Sequence, residues 1–100
     1  MGLFDQAKDL YKLQKQAKQL KAELKTIHVE AEHEGLKVTV DGEQTVISTE
    51  IQDPTLLQNQ DKLQKAFTEA TNKAIKKSQM VGAEKMKSMM GDLGGLMGGQ

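Results

Sequence analysis

The 100-residue chain contains no cysteine, no tryptophan and no arginine. Its aromatic residues are Phe4, Tyr11 and Phe67, and its single proline is Pro54. Without cysteine there is no disulfide framework, no thiolate nucleophile and no Cys-ligated zinc. Without arginine there is no planar guanidinium fork, so every cation is a compact lysine point charge. Three aromatics, with Phe67 in a core register, leave no platform on which single-stranded bases would stack. No apolar run approaches the roughly 18 residues of a membrane span. The opening Met1-Gly2-Leu3-Phe4-Asp5-Gln6 lacks the apolar segment of a signal peptide, and Gln6 stands where a myristoylation signal wants Ser or Thr. These absences predict a soluble cytoplasmic protein with no membrane partner.

What is present balances: 14 lysines against 14 acids, a formal net charge of zero. A pI near 6.7 argues against a uniformly basic nucleic-acid binder, whose pI exceeds about 9. The balance hides three blocks. Residues 3–25 carry six lysines against Asp5, Asp9 and Glu23, a net +3. Residues 26–60 carry seven acids against Lys37, a net −6. Residues 61–90 carry seven lysines against Asp61, Glu69 and Glu84, a net +4. Such segregation shapes the local field whatever the total.

The blocks coincide with changes of period. Leu3, Leu10, Ala17 and Leu24 recur every seven residues, as do Leu13, Leu20 and Ile27, with Gln6 the one polar position of the seam. That pattern predicts a long amphipathic helix over about 3–25. The acidic block alternates: Ile27, Val29 and Ala31 against His28, Glu30 and Glu32, then Leu36, Val38 and Val40 against Lys37 and Thr39. Two half-buried strands are predicted around Glu34-Gly35, with a hairpin turn at Asp41-Gly42 and a third strand near 44–51. Asp53-Pro54 reads as an N-cap followed by proline at the first helical position. Leu63, Phe67, Ala70, Ala74, Ser78 and Val81 then follow at helical spacing to about residue 81 or beyond. The expected class is α+β: long helix, three-stranded antiparallel meander, long helix. Leu, Ile, Val and Phe number only 22, close to the roughly 20% below which chains stay disordered. A core that thin favours an oligomer.

At 100° per residue, Lys8, Lys12 and Lys15 lie opposite the first helix's seam, with Lys18 and Lys25 on the shoulder of that face and Lys21 beside the seam. Lys8 to Lys25 spans about 25 Å, several phosphate spacings of duplex DNA. On the second helix Lys62, Lys65, Lys73 and Lys76 share a flank and Lys77 lies nearer the apolar edge. Rows of this kind suit a polyanion, although lysine also populates solvated helix faces for propensity and solubility. Asp9, Glu23 and Glu69 stand at spacings that allow i,i+3 or i,i+4 pairing. Lysine neutralises phosphate without reading guanine, so the partner such rows suit is double-stranded DNA held by its backbone, with low sequence preference.

The order of elements, and the stretches Leu10–Leu24, Gly35-Leu36-Lys37-Val38-Thr39-Val40-Asp41-Gly42, Glu50-Ile51, Asp53-Pro54-Thr55-Leu56-Leu57 and Asn72-Lys73-Ala74-Ile75-Lys76-Lys77, resemble the YbaB/EbfC family of nucleoid-associated DNA-binding proteins. The Met- and Gly-rich ending is similar too. The resemblance implies a homodimer in which the sheets associate and the long helices project as a tweezer-like pair. It also implies duplex DNA as partner, a place in the nucleoid, and effects on DNA organisation or gene expression. The chain departs from the family pattern twice. Lys76-Lys77 stand where arginine is common, so an arginine-dependent readout is not carried over, and Ile51-Gln52-Asp53-Pro54 is one residue longer than the usual Ile-Asp-Pro.

Nothing in the sequence points to an enzyme, a small-molecule substrate or a cofactor. His28 and His33 fall on opposite sides of a strand. The row His28-Glu30-Glu32-Glu34 is more simply a solvated strand face than a metal site. Ser48, Ser78 and Ser88 lack a base, and the terminal glycines lack a P-loop lysine. The chain divides into one domain over 1–90 and an expected flexible tail over 91–100. Met80, Met86, Met89, Met90 and Met97 lie among glycines towards that end. They support an alternative reading, a protein–protein or chaperone-like module gripping apolar partners through the helix seam or the tail.

Overall fold

A computed structural model describes residues 3–98, with side chains described for residues 8–89. The elements run α1 (Leu3–Thr26), β1 (His28–His33), β2 (Leu36–Asp41), β3 (Val46–Ile51), a 3-10 turn (Pro54–Gln58) and α2 (Gln60–Gly98). The strands form one antiparallel sheet in the order β1-β2-β3. The α+β reading of the sequence is therefore the observed architecture.

The β1–β2 register pairs Val29 with Val40, Ala31 with Val38 and His33 with Leu36. Paired residues share a face, so the alternation seen in the sequence collects these side chains on one side of the sheet. There α2 lies across β1 and β2 and presents Ala66, Ala70 and Ala74, each fully buried, with Leu63, Phe67 and Ile75 packed at the margin. Alanine every four residues lets the helix axis approach closely. The cost is a lean core: its large fully buried apolar side chains are Leu36, Val38, Val40 and Leu56. Each supplies about 1.5–3 kcal/mol by burial, which leaves little margin for an isolated chain.

The turns differ in detail from the sequence reading. Glu34 (φ 48°) and Gly35 (φ 93°) form the two-residue β1–β2 turn, and both adopt the left-handed conformation that such tight hairpins need. The Asp41-Gly42 signal gives a longer turn instead. Asp41 Oδ1 accepts from Glu43 N (2.8 Å) and Thr45 N (3.0 Å), and the positive φ falls on Gln44 (66°). Strand β3 accordingly starts at Val46, with a bulge opposite Thr39 and Val40. Asp53-Pro54 caps the 3-10 turn rather than the long helix. Asp53 Oδ1 accepts from Thr55 N (3.0 Å) and Thr55 Oγ1 (2.7 Å), and the turn sinks Leu56 into the core. α2 begins after a second cap, Asn59, whose Oδ1 accepts from Lys62 N at 3.1 Å.

α1 touches the rest of the chain at its C-terminal end. Gly42 N donates to Leu24 O at 2.8 Å, and Lys85 Nζ meets Glu23 Oε2 at 3.3 Å. A Cβ on Gly42 would sit 2.7 Å from Leu24 O, so glycine is needed here for close approach. On the other side of this junction Ser78, fully buried, donates to Asp41 O at 2.7 Å. The projecting helices stretch the molecule to 68 × 25 × 17 Å. Its radius of gyration is 19.5 Å, against about 13 Å for a compact chain of this length.

Candidate nucleic-acid interface

All ten candidate lysines are exposed: Lys8, Lys12, Lys15, Lys18 and Lys25 on α1, and Lys62, Lys65, Lys73, Lys76 and Lys77 on α2. Lys21 is exposed as well. The helices hold them in two groups that differ in what their ammonium groups do.

Among the described residues, the pairing that the spacing of Asp9 and Glu23 allows within α1 does not form. The ion pairs among the described residues are Lys37 with Glu30 (3.8 Å) and Glu50 (3.2 Å), and Lys85 with Glu23 (3.3 Å). None uses a candidate lysine. Glu23 turns to α2, and the strand acids converge on Lys37, whose pKa is raised by its hydrogen bond to Glu50 and by the charges of Glu30 and Glu50. Two lysines of α2 reach back to the sheet. Lys77 Nζ donates to Glu30 O at 3.1 Å and Lys73 Nζ to Glu32 O at 3.4 Å. Their charge still adds to the field, but their donors are partly spent within the fold. Lys62, Lys65 and Lys76 make no such contact among the described residues.

Tyr11, given no role by the sequence reading, is 68% exposed and lines a shallow depression on α1 with Gln14, Lys15 and Lys18. An aromatic among lysines on an outer helix face can lie against sugar and phosphate. Its i+4 and i+7 spacing to Lys15 and Lys18 was the available signal. The seam of α1 is also open, with Leu10 61% and Leu13 58% exposed. The opposite face of the sheet carries exposed His28, Glu30, Glu32, Ser48 and Glu50. No cluster of three or more His, Asp or Glu suited to a metal ion occurs among the described residues. No described helix is long and apolar enough to cross a membrane.

The model of the YbaB/EbfC DNA-binding family matches residues 1–93. The chain belongs to this family. The solved structures it is similar to include that of the uncharacterized protein HP0035 from Helicobacter pylori. That protein is 18% identical, with a TM-score of 0.79, over 90% of this chain and 98% of that one. At this identity the likeness carries the fold alone. No curated protein matches the sequence. Membership in the YbaB/EbfC DNA-binding family makes DNA the partner for which the exposed lysine rows are to be judged.

Proposed function

We propose that this YbaB/EbfC member is a homodimeric, nucleoid-associated protein of the cytoplasm that binds double-stranded DNA with low sequence specificity. Its grip is the lysine row of α1 (Lys8, Lys12, Lys15, Lys18 and Lys25), joined by Lys62, Lys65 and Lys76 of α2. In this role it organises DNA or modulates gene expression. The observation that carries the reading is the α1 row: exposed lysines, unpaired with carboxylates among the described residues, on a helix that meets the rest of the chain at its C-terminal end. Lysine contacts of this kind release counterions from the duplex, so affinity falls steeply with salt. The acidic sheet repels phosphate and orients the molecule with its helices toward the duplex. Lys73 and Lys77 contribute charge more than direct contacts.

The test is titration with duplex DNA over a salt series, using the parent and the triple charge reversal K8E/K12E/K15E. The variant should remain folded and lose binding at low salt. A folded variant that binds as tightly as the parent removes α1 from the interface.

A second reading rests on the exposed apolar seam, Leu10 and Leu13. Such a stripe also suits a partner helix, making α1 part of a protein-interaction module. No DNA binding by the parent at 50 mM salt, or binding indifferent to salt, would favour it. We further propose that residues 1–90 are the functional domain and that the Met/Gly-rich segment 91–100 is dispensable for DNA binding. Deletion of that segment tests this directly.

A further inference from the structure

Most exposed positions of α1 hold lysine, glutamine or alanine, residues that favour a helix. Tyr11 is an exception. It ranks below them in helix propensity, and its ring stays 68% exposed. The open seam does not account for it, because Tyr11 stands about 100° from Leu10 and about 160° from Leu13 around the helix axis. Its neighbours on the outer face are cations instead. Lys8, Lys15 and Lys18 lie about 60°, 40° and 20° from it, all within about 11 Å along the axis, while Asp9 lies about 160° away. Tyr11, Gln14, Lys15 and Lys18 line one shallow depression.

Lysine and tyrosine suit different parts of one ligand. An ammonium group neutralises phosphate and releases counterions, so its contacts carry the salt dependence of binding. The sugar between two phosphates offers C–H surface, which a ring covers by shedding water rather than ions. One ring cannot form the platform on which successive unpaired bases stack. Resting on the DNA-binding reading above, we propose that these four residues form a subsite for one deoxyribose of the duplex and its flanking phosphates. Lys15 and Lys18 hold the phosphates, the Gln14 amide donates to the same backbone, and the Tyr11 ring covers the sugar between them. Tyr11 thereby supplies a part of the affinity that salt does not remove, distinct from the contribution of the lysine row.

The composition makes the test direct. The chain has one tyrosine and no tryptophan, so emission excited in the tyrosine band comes from Tyr11. Acrylamide, a neutral quencher, should reach the exposed ring in the free protein, and saturating duplex DNA should largely abolish that quenching. Y11Q removes the ring and keeps a good helix former. It should weaken binding about fivefold or more at every salt concentration, the loss expected for a modest apolar contact. The plot of log affinity against log salt should shift without a change of slope. Y11F, which keeps the ring, should bind as the parent does. Circular dichroism checks that both variants retain the parent's helix content.

A folded Y11Q that binds as tightly as the parent, or that changes the slope, overturns the subsite and leaves the DNA-binding reading standing. A Y11F as weak as Y11Q does the same. So does a Tyr11 as open to acrylamide in the complex as in the free protein, a measurement that needs no variant to fold. Failure of the parent to bind duplex DNA at low salt overturns the DNA-binding reading itself.

Discussion

Replacing Gly42 with alanine should destabilise the protein, against the usual sign for such a change. Gly42 has no positive φ, so alanine can adopt its backbone conformation. At such a site Gly→Ala ordinarily stabilises by about 0.4–1 kcal/mol, through loss of unfolded-state freedom. Here the new Cβ would stand 2.7 Å from Leu24 O and 3.1 Å from Leu24 Cα, both backbone atoms that cannot swing aside. The hairpin and the end of α1 must separate. That weakens the 2.8 Å bond from Gly42 N to Leu24 O and leaves a buried N–H short of a partner, at about 1–3 kcal/mol. The net expectation is a loss of about 1–2 kcal/mol. With about 4–8 °C per kcal/mol for a domain of this size, Tm should fall by roughly 5–15 °C. Gly82, directly across the junction, is the control. Its added Cβ would meet Gly42 O at 3.5 Å, ordinary contact, inside a helix. G82A should therefore stabilise by about 0.5–1 kcal/mol. Urea and thermal unfolding at matched protein concentration measure both. A G42A protein more stable than its parent would refute the claim that the hairpin turn anchors α1.

Three further outcomes are expected. S78A removes the donor to Asp41 O inside the core, and urea unfolding should register a loss of about 1–3 kcal/mol. Neutralising three lysines in K8Q/K12Q/K15Q should lower the slope of log affinity against log salt by about 2–3 units, read from fluorescence anisotropy on duplex DNA. The pKa of Asp53 is lowered by its hydrogen bonds from the Thr55 hydroxyl and backbone. A carboxylate with a depressed folded value stabilises above its ordinary pKa and ceases to do so as pH falls through the lowered one. D53N should thus flatten the acid limb of the stability profile in chemical unfolding. An unchanged acid limb would mean that the Thr55 bonds do not favour the charged form.

Element identity was legible from the apolar period, which agrees with burial in β1 and along the inner face of α2 but marks a helix with an open seam in α1. The seven-residue spacing marked α1, the two-residue alternation marked β1 and β2, and Leu63, Phe67, Ala70, Ala74 and Ser78 marked the buried stripe of α2. Ala66 escaped that stripe because a lone alanine carries little hydrophobic signal. The turns were less legible, because a local motif can be satisfied in more than one way. Asp41 did organise a turn, but by side-chain acceptance over four residues. Gly42 is required by Leu24, eighteen positions away in sequence. Asp53 did cap, but a 3-10 turn, because Leu56 had to reach the core before α2 could start at its own cap, Asn59. In the candidate interface, helical geometry put all ten lysines on the surface. It did not reveal that Lys73 and Lys77 would meet carbonyls of β1, a contact across forty or more residues.

The zero net charge is compatible with a DNA-binding role because charge acts over a short range in salt. Field decays over about 8 Å at physiological ionic strength. Lys8 and the anchored end of α1 at Leu24 are sixteen residues apart, about 24 Å along the helix axis, or three decay lengths. The acids that cancel the total lie in the sheet, and two of them are further occupied by Lys37. Glu23, the acid nearest the anchored end, is engaged by Lys85. A phosphate approaching the outer half of α1 therefore meets Lys8, Lys12, Lys15 and Lys18 with Asp9 as the described opposing charge, and the sheet's negative field hardly reaches it. Lowering the salt extends the decay length and brings the sheet's repulsion into play, while it also strengthens each phosphate contact. The second effect acts at contact distance and the first across the length of a helix, so binding should still tighten as salt falls.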